Sequence, residues 1–121
     1  MGSAESKLIY VIEDDEAVRG STCLLLDALG FAVRDFASAE DFLAATDGRE
    51  AACLILDFRL PGLSGLALLE LLRAKGIKTP AIVMSAEGSR VTKRAARAGA
   101  AVLHKPLAGE ALTQWLAEIL K

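Results

Sequence analysis

Residues 7–16 read KLIYVIEDDE: an apolar, strand-forming run over 7–12 that passes directly into four carboxylates, Glu13, Asp14, Asp15 and Glu16. Like charges at contact distance repel and raise one another's pKa. Such a cluster is either spread into solvent at a helix start or held together by a cation. Which applies depends on what else the fold brings to the end of this strand.

Similar runs recur at 31–36 (FAVRDF), 53–56 (CLIL), 81–84 (AIVM) and 101–104 (AVLH). All but 31–36 are nearly continuous in apolar residues, as parallel strands covered on both faces require. The exception carries Arg34 and Asp35 and suits an edge strand. Helical patterns fill the intervals. Val18, Thr22, Leu25, Leu26 and Leu29 share one face of the first helix, with Gly30 at its end. Ser38 with Asp41 resembles a capping box, and Ser64 caps a helix that Gly76 closes before Thr79-Pro80. Leu112, Leu116 and Ile119 line one face of the last helix, beside Trp115. Strict strand–helix alternation predicts an α/β, doubly wound five-stranded parallel sheet.

At 121 residues, 53% hydrophobic and a net charge of −2, the chain reads as one ordered domain. Its charge gives no bulk reason for nucleic-acid or membrane binding, and no apolar run reaches membrane-spanning length. Residues 1–6 (MGSAES) fit a myristoylation pattern and equally an expression scar or loose tail; a scar or tail is the expectation, with the domain over 7–121. Cys23 and Cys53 lie in apolar runs without metal-ligand spacing, so two buried free thiols are expected, as in cytoplasmic proteins.

In open α/β sheets ligands gather beyond the carboxyl ends of the strands, where strand order reverses. With order 2-1-3-4-5 the first and third strands are neighbours, and Glu13, Asp14 and Asp57 converge. A hard divalent cation such as Mg²⁺ resolves that convergence, since it takes oxygen ligands and often shares its shell with phosphate. Ser85 ends the fourth strand and offers a hydroxyl. Lys105 ends the fifth and offers an ammonium. A carboxylate nucleophile, a metal site, a hydroxyl and a lysine are the parts needed to place a phosphoryl group on Asp57. Each part alone is commonplace, and an Asp pair after a strand is most often a turn and helix cap. Their coincidence on one rim is informative.

The motifs IEDD, LDFRLPGLSG, MSA and HKP, together with the pattern over residues 7 to 120, resemble response-regulator receiver domains of bacterial two-component signalling. The resemblance implies a flavodoxin-like fold and a phosphoacceptor at Asp57, loaded by a histidine kinase or phosphotransfer protein. It implies Mg²⁺ (or Mn²⁺) held by Asp14, Asp57 and the backbone carbonyl of Arg59. Glu13 stands where the family usually has Asp, which leaves both direct and water-mediated contact open. Ser85 and Lys105 match the family's Ser/Thr and lysine, Pro61 and Gly65 its loop after the phosphoacceptor, and Lys105-Pro106 its cis peptide. A signalling module rather than an enzyme is implied, with only self-phosphorylation and slow autodephosphorylation, in the cytoplasm.

Departures concern output. Val102 replaces the family's frequent aromatic switch residue, and Leu107 a frequent Phe. His104 shares strand parity with Val102, so it lies on the same sheet face; a partly exposed structural histidine is the plainer reading. Arg59 and Glu87, two residues past Asp57 and Ser85, are expected to flank the entrance for water. Arg90, Lys93, Arg94 and Arg97 form a basic stripe on the fourth helix. Many receivers dimerise or bind partners through helix 4, strand 5 and helix 5; here Glu110 and Glu118 could pair with the stripe across a two-fold axis, and phosphorylation-dependent self-association or partner contact is the expectation. Direct nucleic-acid or membrane binding by the domain is not expected. Two other classes fit less well. An aspartyl-phosphate hydrolase needs an acid where Arg59 stands, and a nucleotide-binding domain needs a glycine-rich loop after the first strand.

Overall fold

Residues 7–85, 89–105 and 109–119 are described by the computed structural model. Apolar β-formers make the strands β1 (Leu8–Ile12), β2 (Ala32–Phe36), β3 (Cys53–Asp57), β4 (Ala81–Ser85) and β5 (Ala100–His104). They pair in parallel in the order β2-β1-β3-β4-β5, as expected for a doubly wound sheet. The helices are α1 (Glu16–Ala28), α2 (Ala39–Ala45), α3 (Gly65–Ala74), α4 (Ser89–Arg97) and α5 (Gly109–Ile119).

Alternation along each strand divides the interior into two cores. On one side Tyr10, Ile12, Leu54, Leu56 and Val83 pack with Phe42 of α2, Leu66, Leu69 and Leu72 of α3, and Ala95 of α4. On the other, Ile9, Val11, Ile55, Ile82 and Met84 pack with Leu26 of α1 and with Leu112 and Leu116 of α5. Half-buried Trp115 and Leu103 join this second core. Coverage on both faces explains the unbroken apolar runs of the central strands. The edge strands differ: β2 exposes Arg34 and Asp35, while β5 is half-buried until His104, which is exposed.

Helix starts follow local chemistry. Asp15, Ser38 and Ser64 cap α1, α2 and α3, accepting from the N–H groups of Val18, Asp41 and Ala67 at 3.0–3.1 Å. Asp15 is therefore the helix cap within the opening acid cluster. Leu29 departs from its expected place. It follows α1 as the C-cap and is 40% exposed, because the chain turns away there into Gly30. Cys53 is buried, and burial pushes its thiol up to about 12; Cys23 is only half-buried. Among the described residues, no helix is long and apolar enough to cross a membrane. Residues 1–6 and 120–121 lie outside the described residues.

Candidate functional site

Strand register assembles the site. Ile12 pairs with Leu56, so the next residues, Glu13 and Asp57, emerge side by side. Asp57 pairs with Met84, which brings Ser85 one step further along the same rim, and Ser85 pairs with His104 immediately before Lys105. The Lys105 N–H donates to the Ser85 carbonyl at 3.1 Å, extending the ladder past the end of β5. Glu13, Asp57 and Ser85 are buried, whereas Asp14 is exposed. One carboxylate oxygen from each of Glu13, Asp14 and Asp57 lies within 4.8 Å of the others.

Lys105 Nζ donates to Glu13 Oε1 and to Asp57 Oδ1, both at 3.0 Å, so one ammonium is shared by two of the three gathered carboxyl groups. Burial, and then the hydrogen-bonded carboxyl of Asp57, push Glu13 up to about 7 against the opposing bonds from Lys105 and the Asp15 N–H. Burial alone would lower the Lys105 pKa, but bonds to Glu13 and Asp57 outweigh it and raise the value. A buried carboxyl pushed up in this way, gathered with two others, is one that a bound cation would relieve. The all-oxygen donor set fits a hard divalent cation in that place.

The backbone around Asp57 is closely fitted. A Cβ on Gly65 would stand 2.0 Å from the Asp57 carbonyl oxygen, so glycine alone fits this approach. The Gly65 N–H donates to the Phe58 carbonyl at 3.2 Å, and Glu40 of α2 accepts from the Leu63 N–H at 3.1 Å. Arg59 is exposed, and its N–H points to Asp57 Oδ1 at 3.4 Å. Glu87, Pro106 and Leu107 lie outside the described residues, as does the side chain of Arg90.

Toward the fifth strand, Val102 is half-buried in the core beneath α4, and His104, of the same parity, is exposed. Lys93, Arg94 and Arg97 are exposed on α4, as are Glu110 and Glu118 on α5. Arg94 turns toward α3, where its Nη2 meets Glu70 Oε1 at 2.6 Å. The stripe is therefore partly neutralised within the molecule, and Arg94 points away from the β5 edge.

Two arginines escaped the sequence reading. Arg19 of α1 donates from Nη1 to the Glu13 carbonyl at 2.8 Å and from Nε to Asp35 Oδ2 at 3.0 Å. Arg73 of α3 donates to the carbonyls of Ala98, Ile77 and Thr79 at 2.7–2.8 Å. The signal for Arg19 was its position one turn into a helix that begins at the acid cluster. Nothing local distinguishes Arg73 from a solvated last-turn base.

A family model described as the response regulator receiver domain matches residues 9–117. Among curated proteins, the transcriptional regulatory protein FixJ of Bradyrhizobium diazoefficiens is 36% identical over 115 residues, covering 93% of this chain and 56% of that protein. FixJ of Azorhizobium caulinodans is 42% identical over 104 residues, 84% of this chain and 49% of that one. The chain spans about half the length of these curated relatives. Among solved structures, the response regulator StyR superposes with a TM-score of 0.87 at 36% identity, over 96% of this chain and 60% of that one. A CheY-like receiver domain protein from Methanospirillum hungatei gives a TM-score of 0.87 at 27% identity, over 96% and 94%.

Proposed function

The chain belongs to the family of response regulator receiver domains, and from that premise we propose that it accepts a phosphoryl group on Asp57 from a histidine kinase or phosphotransfer protein. The observation that carries this reading is the Asp57 carboxylate bound to Lys105 Nζ at 3.0 Å, among acids gathered at one end of the sheet.

In the proposed transfer an Asp57 carboxylate oxygen attacks the phosphorus of a phosphohistidine. The O–P bond forms as the P–N bond breaks, and the electron pair leaves with the imidazole, which is protonated from solvent. Lys105 offsets charge on the phosphoryl oxygens, and the Ser85 hydroxyl donates to one of them. Glu13, Asp14, Asp57 and the Arg59 carbonyl would hold Mg²⁺ or Mn²⁺, which when bound offsets the charge shared by the carboxylate and the incoming group. Arg59 and Glu87 are assigned to the lifetime of the acyl phosphate. Turnover beyond slow self-dephosphorylation is not part of this reading.

The signal leaves, in this reading, through α4, β5 and α5 in the cytoplasm. Arg90, Lys93 and Arg97 supply its basic side, Glu110 and Glu118 its acidic side, and a second copy or an output partner is the recipient. Val102 in place of an aromatic residue implies that this route does not depend on an aromatic switch.

The test of the phosphoacceptor is intact-mass measurement after incubation with a small phosphodonor and Mg²⁺. One phosphoryl adduct is expected on the wild-type chain, absent in Asp57→Asn and suppressed by EDTA. An adduct that persists undiminished in Asp57→Asn would overturn the assignment.

A further inference from the structure

We propose that Arg19 is a positioning residue for the cation-binding acids. It fixes the backbone of Glu13 so that Glu13 and Asp14 present their carboxylates to Mg²⁺. This rests on the reading above that the acids hold Mg²⁺.

Glu13 is the first residue beyond β1, where strand pairing no longer dictates the path of the chain. Both of its backbone groups are nevertheless held. The N–H donates to the Phe36 carbonyl on β2 at 3.0 Å, and the carbonyl accepts from Arg19 Nη1 at 2.8 Å. Two residues on, the Asp15 N–H donates to Glu13 Oε2 at 3.2 Å, and Asp15 itself caps α1. The turn carrying Glu13 and Asp14 is thus fixed at its start by Arg19 and at its end by the helix cap.

Charge separates positioning from neutralisation. A lone guanidinium this close would oppose a cation, but Arg19 Nε is paired with Asp35 Oδ2 at 3.0 Å, so the pair adds no net charge. What it contributes is direction. The planar fork sends one N–H to the Glu13 carbonyl and another to the edge strand, a geometry that an ammonium on a flexible stem does not reproduce. The Arg19 side chain is only 19% exposed, which shields its bond to the Glu13 carbonyl from competing water more than the bond to half-exposed Asp35. Partners that orient metal ligands without touching the metal typically change affinity about 10–100-fold when removed.

The experiment is calorimetric titration of Mg²⁺ into wild type, Arg19→Lys, Arg19→Ala and Asp35→Asn, with urea unfolding in EDTA as the measure of folding. Phosphorylation by a small phosphodonor is followed across Mg²⁺ concentrations in parallel. The Mg²⁺ Kd is expected to rise about 10–100-fold in Arg19→Ala and about tenfold in Arg19→Lys. The phosphorylation rate at saturating Mg²⁺ should stay within about threefold of wild type, since Arg19 touches no reacting atom. Unchanged Kd in Arg19→Lys and Asp35→Asn would overturn the proposal, and these two variants decide it if Arg19→Ala does not fold. A saturating rate that falls while Kd holds would overturn it as well. Failure of the wild-type chain to bind Mg²⁺ or accept phosphate would instead remove the functional reading beneath it.

Discussion

The two flanks of the sheet are held by different means. On the β2 flank, Tyr10, Phe36 and Phe42 meet edge to face with ring centroids 5.5–5.8 Å apart. The Arg34 guanidinium lies 5.4 Å from the Phe36 ring centre and 5.6 Å from that of Tyr10, and the Tyr10 hydroxyl donates to Glu50. Arg19 then ties the edge strand to the acid turn. On the β5 flank, α4 buries Ala95 among its described residues, with Ala98 buried just past its end, whereas α3 buries Leu66, Leu68, Leu69 and Leu72. Burial of a leucine stabilises by roughly 1.5–3 kcal/mol, and an alanine methyl contributes far less. The C-terminal end of α4 hangs instead on the hydrogen bond from Arg73 to Ala98. The Glu13–Asp14 turn therefore adjoins the flank with the larger described packing, and on the other side displacement of α4, rather than of α5 with its buried Leu112 and Leu116, is expected to cost least.

The largest effect expected from breaking this contrast is at Gly65. In Gly65→Ala the new Cβ would meet the Asp57 carbonyl oxygen at 2.0 Å and its carbon at 2.9 Å, both backbone atoms. Relief requires moving the chain around Asp57, so a loss of about 3 kcal/mol or more is expected in urea unfolding, together with loss of phosphoryl acceptance. A variant as stable as wild type would show that the crevice yields, and the contrast would fall.

A middle-sized effect is expected from pH in EDTA. Glu13 lies at about 7 in the folded chain against an ordinary 4.5. Between those values the folded state binds more protons than the unfolded one, so stability is full below about 4.5 and is lost as pH rises toward 7. The loss should be on the order of 1–3 kcal/mol. Glu13→Gln should flatten the slope, and Mg²⁺ should restore stability at the upper end by binding the deprotonated form. Melts that do not depend on pH across this window in the wild-type chain would argue against the raised Glu13 carboxyl.

The smallest effect belongs to the α4 side. Glu70 and Arg94 meet at 2.6 Å, but their side chains are 45% and 51% exposed. A double-mutant cycle with Glu70→Ala and Arg94→Ala should give a coupling of about 0–1 kcal/mol. A coupling above about 2 kcal/mol would mean that α4 is clamped to α3 and would erase the difference between the flanks. Sedimentation of Lys93→Glu with and without a phosphoryl mimic, at two salt concentrations, tests the output face. Salt-sensitive association of the wild-type chain that the variant lacks is expected. A chain that stays monomeric throughout, with partner binding indifferent to Lys93→Glu, would leave the stripe a solvated face.

Much of this architecture was legible in the sequence because it rests on local or periodic signals. Continuous apolar runs mark strands covered on both faces, and Ser38 and Ser64 announce helix starts that the structure shows. The strand order then obliges Glu13, Asp14, Asp57, Ser85 and Lys105 to meet at one rim. Leu29 was misplaced because periodicity continues on paper past the residue where the helix turns off. Arg19 with Asp35, Arg73 with its three carbonyls, and the turn of Arg94 toward Glu70 could not be read. The contacts to Asp35, Glu70 and Ala98 depend on distances between elements far apart along the chain, and a side chain reaching a backbone carbonyl, as Arg73 also does nearby at Ile77 and Thr79, has no counterpart residue type to search for.

Trp115 gives the molecule a one-sided optical reporter. It is the chain's single tryptophan, and it packs into the core between the sheet and α5, the same core that receives Leu103 of β5. Its emission should respond to shifts of the sheet edge or of α5 and should stay silent when α4 alone is displaced across the sheet. A fluorescence change on loading Asp57 would therefore mean that the strand or α5 has moved. A constant signal alongside altered hydrogen exchange in α4 would confine the motion to the outer helix, without any label being added.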